Sequence, residues 1–184
     1  CINKNTAAIM IPNLLGNIPD WKIIYKIASK YNLRIIEDSA DTIGYKVNGK
    51  INGKFSDAVT NSFYASHIIN GAGFGGIVCF NNYEFYKRAK LLRGWGRSSA
   101  IFNESEKIEK RFNVKISGIQ YDKKYIFSEP GYNFLPSEIS AAFALEQLKK
   151  LNKNIYIRDK NFKFLKNFFK NYSTYFKLPE IYSN

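Results

Sequence analysis

The sequence predicts an α/β fold, and three observations carry that prediction. Short apolar runs alternate with amphipathic segments over residues 1–92, one of those runs is continuous enough for an inner parallel strand, and carboxylates follow it directly. Residues Ala7 to Ile11 read as a buried first strand. The turn Gly16-Asn17-Ile18-Pro19-Asp20 follows, with Asp20 placed to cap a helix whose apolar stripe is Ile23, Ile24, Ile27 and Ala28. Leu33-Arg34-Ile35-Ile36 is the inner strand, ending at Glu37-Asp38. Ligands of open α/β sheets gather beyond the carboxyl ends of strands, so Asp38 and Asp41 are expected in a crevice.

Further along, Val47 to Ile51 with Asn48-Gly49 predicts a small turn or hairpin, and Asp57 precedes a strand running through Val59 to Phe63. Gly76-Ile77-Val78-Cys79-Phe80 is one more strand, and Asn81-Asn82 breaks into a helix through Phe85, Leu91 and Leu92. The stretch from Arg93 to Glu129 is less regular, with the charge and aromatic content of an active-site loop or lid. Ser137 is placed to cap a helix carrying Ile139, Ala142, Phe143, Leu148 and Leu151, and a segment rich in lysine and phenylalanine follows.

With 184 residues, 45% of them hydrophobic, the chain is long enough for one substantial core. It begins at Cys1 with a strand close behind, which is the expectation for a fragment whose preceding sequence is missing. No apolar stretch is long enough for a membrane span, and two cysteines build no disulfide framework, so a cytoplasmic setting without membrane attachment is expected. One histidine and no cysteine pair give no metal set. The net charge of +13 raises nucleic-acid binding, yet the charge is dispersed: 11 basic and 6 acidic residues in 1–92, 17 and 9 in 93–184. A solvated basic surface with no specific nucleic-acid partner is the favoured reading.

His67, the single histidine, ends the run Ser62-Phe63-Tyr64-Ala65-Ser66-His67 and precedes glycines at 71, 73, 75 and 76. Such a loop suits a ligand, although a histidine at a strand end beside an ordinary hairpin has the same local pattern. Asp38 has the placement of a carboxylate that holds a ring nitrogen protonated, while Glu37 or Asp41 has the placement of a simple turn cap. Ser62 offers a hydroxyl to a phosphate, or is merely a polar strand position.

In combination and order, these segments resemble the sugar aminotransferases of the DegT/DnrJ/EryC1/StrS family, which use pyridoxal phosphate. The matching pieces are Asn5-Thr6-Ala7-Ala8-Ile9-Met10-Ile11-Pro12 with Leu15-Gly16-Asn17, Ile36-Glu37-Asp38-Ser39-Ala40-Asp41, the Ser62 to His67 run, Gly75-Gly76, Arg93-Gly94-Trp95-Gly96-Arg97, Arg111-Phe112-Asn113 and Gly131-Tyr132-Asn133. The resemblance implies the fold of the aspartate-aminotransferase type (fold type I), with a large-domain mixed sheet and flanking helices. It divides the chain into residues 1–151, part of the cofactor-binding large domain, and residues 152–184, a connecting helix and the start of a truncated C-terminal domain.

Carried over by position, Asp38 matches the carboxylate that pairs with the pyridine nitrogen. Asp41 stands where a glutamine usually lies near the ring hydroxyl, Ser62 matches the phosphate-binding serine, and Asn133 matches an asparagine that reaches the phosphate of the neighbouring subunit in a homodimer with shared active sites. His67 falls on the lysine that ordinarily bonds the cofactor. A histidine there resembles the branch of nucleotide-linked 4-keto-6-deoxyhexose 3-dehydratases, as do Tyr121-Asp122-Lys123-Lys124-Tyr125-Ile126-Phe127-Ser128.

The resemblance therefore implies a C3 dehydratase using pyridoxamine 5′-phosphate or pyridoxal 5′-phosphate, with His67 and Asp38 as its catalytic pair. The loop after Arg97 has no cysteine, so no iron-sulfur cluster is expected and glutamate is the expected amino donor. The alternatives are a nucleotide-ketosugar aminotransferase and a noncatalytic protein binding nucleotide sugars or nucleic acid. Two positions depart from the family pattern: Phe74 stands where glutamate is common, in a loop one residue longer than usual that bears on the substrate face, and Leu135 replaces the basic residue usually found two positions beyond Asn133.

Overall fold

The computed structural model describes residues 1–47, 49–51, 53–102 and 107–180. They form two compact units, one built from residues 1–81 and 137–184, the other from residues 82–136.

In the first unit, β1 (Ala8–Pro12) leads through a 3₁₀ turn at Leu14–Gly16 into α1 (Trp21–Lys30) and then β2 (Arg34–Asp38). The Asp20 carboxylate accepts from the Lys22 and Ile23 amides at 3.0 and 3.1 Å, the expected cap, which contributes about 1 kcal/mol to a helix of this kind. A short antiparallel hairpin, β3 (Lys46–Val47) with β4 (Lys50–Ile51), stands at the expected turn, of which Asn48 lies outside the described residues. Strands β5 (Ala58–Ser62) and β6 (Gly76–Phe80) complete a sheet of order β1-β2-β5-β6. The first three strands are parallel and β6 is antiparallel, so the sheet is mixed and β2 is an inner strand, both as expected.

Two expectations of burial need correction. As an edge strand β1 is only half covered, with Met10 exposed. In α1 the inward face is Trp21, Ile24 and Ala28, packed with Ile35, Ile9 and Ile11, whereas Ile23 and Ile27 face solvent. The spacing 21, 24, 28 follows one helical face, and Trp21 shifts that face away from the one read from isoleucines alone.

The second unit opens with α2 (Tyr83–Arg93), capped by Asn82, which accepts from the Glu84 and Phe85 amides. It continues through a 3₁₀ turn at Ser98–Ile101, α3 (Ile108–Arg111) and a hairpin of β7 (Val114–Ile116) and β8 (Ile119–Tyr121). The segment read as irregular is thus partly ordered. Asp122 caps the next turn through the Lys124 amide and pairs with Arg111, whose guanidinium holds the Asp122 carboxyl below its usual range. The Gly94-Trp95-Gly96-Arg97 motif is a backbone crossing. Gly96 has φ +75°, and a Cβ on Gly131 would lie 2.1 Å from the Gly96 nitrogen, so neither position has room for a side chain.

Back in the first unit, α4 (Glu138–Lys149) and α5 (Leu151–Lys170) follow. Ser137 is the N-cap residue of α4, but its side chain makes no capping bond. Of the apolar residues this helix carries, Ile139, Phe143 and Leu148 face outward, and Ala144 is the buried residue.

Candidate active site

Side chains alternate along a strand, and β2 uses the two faces for different purposes. Ile35 and Glu37 turn toward the α1 side and are buried, while Asp38 lies on the other face in register with Pro12 and Thr60. Ser62, two residues beyond Thr60, shares that face at the end of β5. The carboxyl ends of two adjacent parallel strands thus present Asp38 and Ser62 together.

Beneath them lies a polar network that sequence reasoning missed. Glu37 is only 1% exposed, yet its Oε1 accepts from Asn13 Nδ2 at 3.0 Å, Ser39 Oγ at 2.8 Å and Tyr45 OH at 2.8 Å. Its Oε2 accepts from the Gly53 amide at 2.8 Å and from Ser56 Oγ at 3.5 Å. Asn13 in turn accepts from Trp21 Nε1 at 3.1 Å, linking the network to the helix core. Burial, reinforced by the Glu37 charge, pushes the Tyr45 hydroxyl far above its ordinary value, so it stays a donor. A buried carboxylate is tolerable only with this degree of hydrogen bonding. The signal available in sequence was a glutamate in a buried strand amid Asn13, Ser39, Thr42, Tyr45 and Ser56, all scattered in the chain.

The network anchors the loop that carries the site. Asp38 Oδ1 accepts from the Ala40 amide at 3.0 Å, and its Oδ2 has no hydrogen-bond donor among the described residues. Asp41 Oδ2 accepts from the Leu15 amide at 2.9 Å, and Asp41 Oδ1 lies 3.3 Å from His67 Nδ1. His67 is placed by a tight turn in which its amide donates to the Tyr64 carbonyl at 3.0 Å, and the Tyr64 ring meets the imidazole edge-on. Phe63 ties this turn to the glycine loop, donating to the Gly75 carbonyl and accepting from the Gly71 amide. A Cβ on Gly71 would sit 2.1 Å from the Phe74 carbonyl oxygen, which explains a glycine there. Ser62 Oγ accepts from the Tyr64 amide at 3.2 Å, leaving its hydroxyl proton for another acceptor.

The first unit therefore brings together Asp41 and His67 directly, with Asp38 and Ser62 on adjacent strand ends. Asn133 belongs to the second unit, where its backbone bridges to Gly94 and its side chain is exposed. Among the described residues no three His, Cys, Asp or Glu side chains cluster as metal ligands, and no helix is long and apolar enough to cross a membrane.

Chemically, the arrangement offers a carboxylate with an open oxygen, a hydroxyl donor and an imidazole with a carboxylate neighbour. The residues fit a phosphorylated pyridine cofactor held without a lysine bond: Asp38 Oδ2 is open to a ring N–H, and Ser62 is open to a phosphate oxygen.

The chain is also similar to known proteins of one family. The profile of the DegT/DnrJ/EryC1/StrS aminotransferase family matches residues 1–181. The chain is 34% identical over 182 residues to the lipopolysaccharide biosynthesis protein RfbH of Salmonella typhimurium, covering 97% of this chain and 41% of that protein. It is 30% identical over 159 residues to a GDP-perosamine synthase of Caulobacter vibrioides, covering 86% of this chain and 37% of the other. The structure of the E. coli GDP-4-keto-6-deoxy-D-mannose-3-dehydratase with bound hydrated PLP superposes with a TM-score of 0.82 at 29% identity, covering 100% of this chain and 45% of that one. The chain thus has the mixed-sheet architecture of a fold type I enzyme and spans less than half the length of these relatives.

Proposed function

The chain belongs to the DegT/DnrJ/EryC1/StrS aminotransferase family, and from that premise we propose that it is part of an enzyme removing the C3 hydroxyl of a nucleotide-linked 4-keto-6-deoxyhexose. The observation that carries the reading is His67 at the end of the β5 loop, where the family resemblance places a lysine, beside a carboxylate. Similarity to a 3-dehydratase structure supports it.

The cofactor is pyridoxamine or pyridoxal 5′-phosphate; when bound it supplies an amine for the C4 ketone and an electron-withdrawing ring. Asp38 holds a proton on the ring nitrogen through its open Oδ2. Ser62 donates its hydroxyl to the phosphate, and Asn133 reaches the phosphate of a second subunit in a homodimer. Asp41 borders the ring hydroxyl and His67. Imidazole cannot form the stable imine that a lysine amine forms, so His67 is free to act as the base that takes a proton at the cofactor C4′ carbon. Loss of the C3 hydroxyl as water completes the elimination. The nitrogen leaves C4 as ammonia when water restores the ketone, glutamate supplies a new amine in this reading, the setting is cytoplasmic, and nucleic acid is no specific partner.

A second reading, amino transfer to C4, is favoured by the similarity to GDP-perosamine synthase. The two separate in one experiment on the full-length protein carrying this chain, supplied with pyridoxamine phosphate, glutamate and a panel of 4-ketosugar nucleotides. Release of the C3 oxygen with solvent exchange at C4′ is the expected result. Amino transfer without C3 loss would establish the second reading, and cofactor-independent sugar-nucleotide binding without turnover would reduce the protein to a noncatalytic binder.

A further inference from the structure

The 3.3 Å approach of Asp41 Oδ1 to His67 Nδ1 has a structural support on its far side. Asp41 Oδ2 accepts the Leu15 amide proton at 2.9 Å, so both oxygens of the carboxylate are engaged and its rotation is restricted. Leu15 has φ 54° and ψ 27°, a left-handed conformation that costs a non-glycine residue energy. Its side chain is 88% exposed, so packing does not explain the strain. The strained turn does aim the Leu15 N–H at Asp41. Asp38, the other site carboxylate, is turned to the Ala40 amide, leaving Asp41 as the acid beside the imidazole among the described residues.

We propose that Asp41 is a positioning residue for His67: clamped by the Leu15 amide, its carboxylate keeps the imidazole proton on Nδ1 and leaves Nε2 as the proton acceptor. A negative oxygen beside Nδ1 favours the tautomer in which that nitrogen carries hydrogen, and it also steadies the positive ring formed when Nε2 takes a second proton. The proposal deepens the reading of His67 as the proton-transfer group and rests on it.

The clamp makes the test sharp. In Asp41→Asn the Leu15 N–H selects the amide oxygen, which leaves the amide NH₂ facing Nδ1. An NH₂ donor there requires Nδ1 to be the acceptor, and the tautomer inverts. In ¹⁵N-histidine-labelled full-length protein, the pair of imidazole nitrogen signals lost in His67→Asn belongs to His67, the sole histidine of this chain. For the neutral ring we expect the Nδ1–H pattern in the wild type and the Nε2–H pattern in Asp41→Asn, with the backbone spectrum otherwise retained. A wild-type ring in the Nε2–H form overturns the proposal whether or not the variant folds, and so does an unchanged tautomer in folded Asp41→Asn.

In the full-length enzyme, Asp41→Asn is expected to lower kcat by roughly 10²-fold or more with little change in KM, and Asp41→Glu to recover part of the loss. Equal kcat in wild type and Asp41→Asn would also overturn the proposal. Failure of the dehydratase reading itself shows differently, as amino transfer to C4 without release of the C3 oxygen while the Nδ1–H tautomer stands.

Discussion

Glu37 and Asp38 are neighbours on one strand, chemically alike, and placed in opposite circumstances. Glu37 faces the α1 side, excluded from solvent, with donors on both oxygens supplied by Asn13, Ser39, Tyr45, Gly53 and Ser56. Asp38 faces the other side of the sheet, half-buried, with one oxygen on the Ala40 amide and the other open. The comparison separates two uses of a carboxylate. One whose hydrogen-bonding capacity is satisfied internally holds the fold, whereas one with capacity left over, on a strand end adjacent to that of a hydroxyl with capacity left over, is suited to hold a ligand.

The largest effect should come from the open side. Replacing His67 by asparagine removes the base while leaving a polar side chain, and C3 elimination in the full-length enzyme should fall by about 10³-fold or more with cofactor and sugar-nucleotide binding retained. Measured oxygen release within a few-fold of wild type would break the comparison at its catalytic end.

On the buried side, Glu37→Ala strands the Gly53 amide and the Tyr45 hydroxyl without their acceptor. We expect a loss of about 3 kcal/mol of unfolding free energy by urea titration, because buried donors lose a charged partner. A cost below about 1 kcal/mol would show that the network is dispensable to the fold.

Asp38→Asn sharpens the contrast between the neighbours. Its stability should change by less than about 1 kcal/mol, since the Ala40 amide keeps an oxygen acceptor, while turnover falls by about 10²-fold. Equal losses of stability from changes at Glu37 and Asp38 would erase the distinction drawn between them.

The smallest effect concerns Tyr45, whose hydroxyl is raised above its ordinary value of 10.0 by burial and by the Glu37 charge. Above pH 10 the unfolded chain releases this proton while the folded chain retains it, so the contribution is complete below that pH and is lost as pH rises beyond it. Tyr45→Phe should cost about 1 kcal/mol at neutral pH and flatten the alkaline decline seen in thermal melts. An identical decline in the variant would assign it to other groups.

Much was legible from residue order. The strand at 34–38 and the cap at Asp20 follow from periodicity and local hydrogen-bonding chemistry, both of which act within a few residues of chain. Mixed sheet, family and cofactor class were legible through the ordered motifs, which the family profile and the superposed structure bear out. Illegible were the covered face of α1, the exposed stripe of α4 and the Glu37 network. Each depends on what a residue meets outside its own element, as Asn13 meets Glu37 at a separation of 24.

The division is clearest at the site itself. By itself the sequence determined that Asp38 follows a strand, that His67 occupies the lysine position of the resemblance, and that glycines crowd the loop after it. Only the tertiary structure decided which carboxylate lies beside the imidazole. Asp38 and Asp41 are three residues apart and carry the same side chain, and the pleat of β2 together with the Leu15 N–H turns Asp41, not Asp38, toward Nδ1. That choice rests on the direction of side chains and the aim of one backbone amide, which are fixed when distant segments pack.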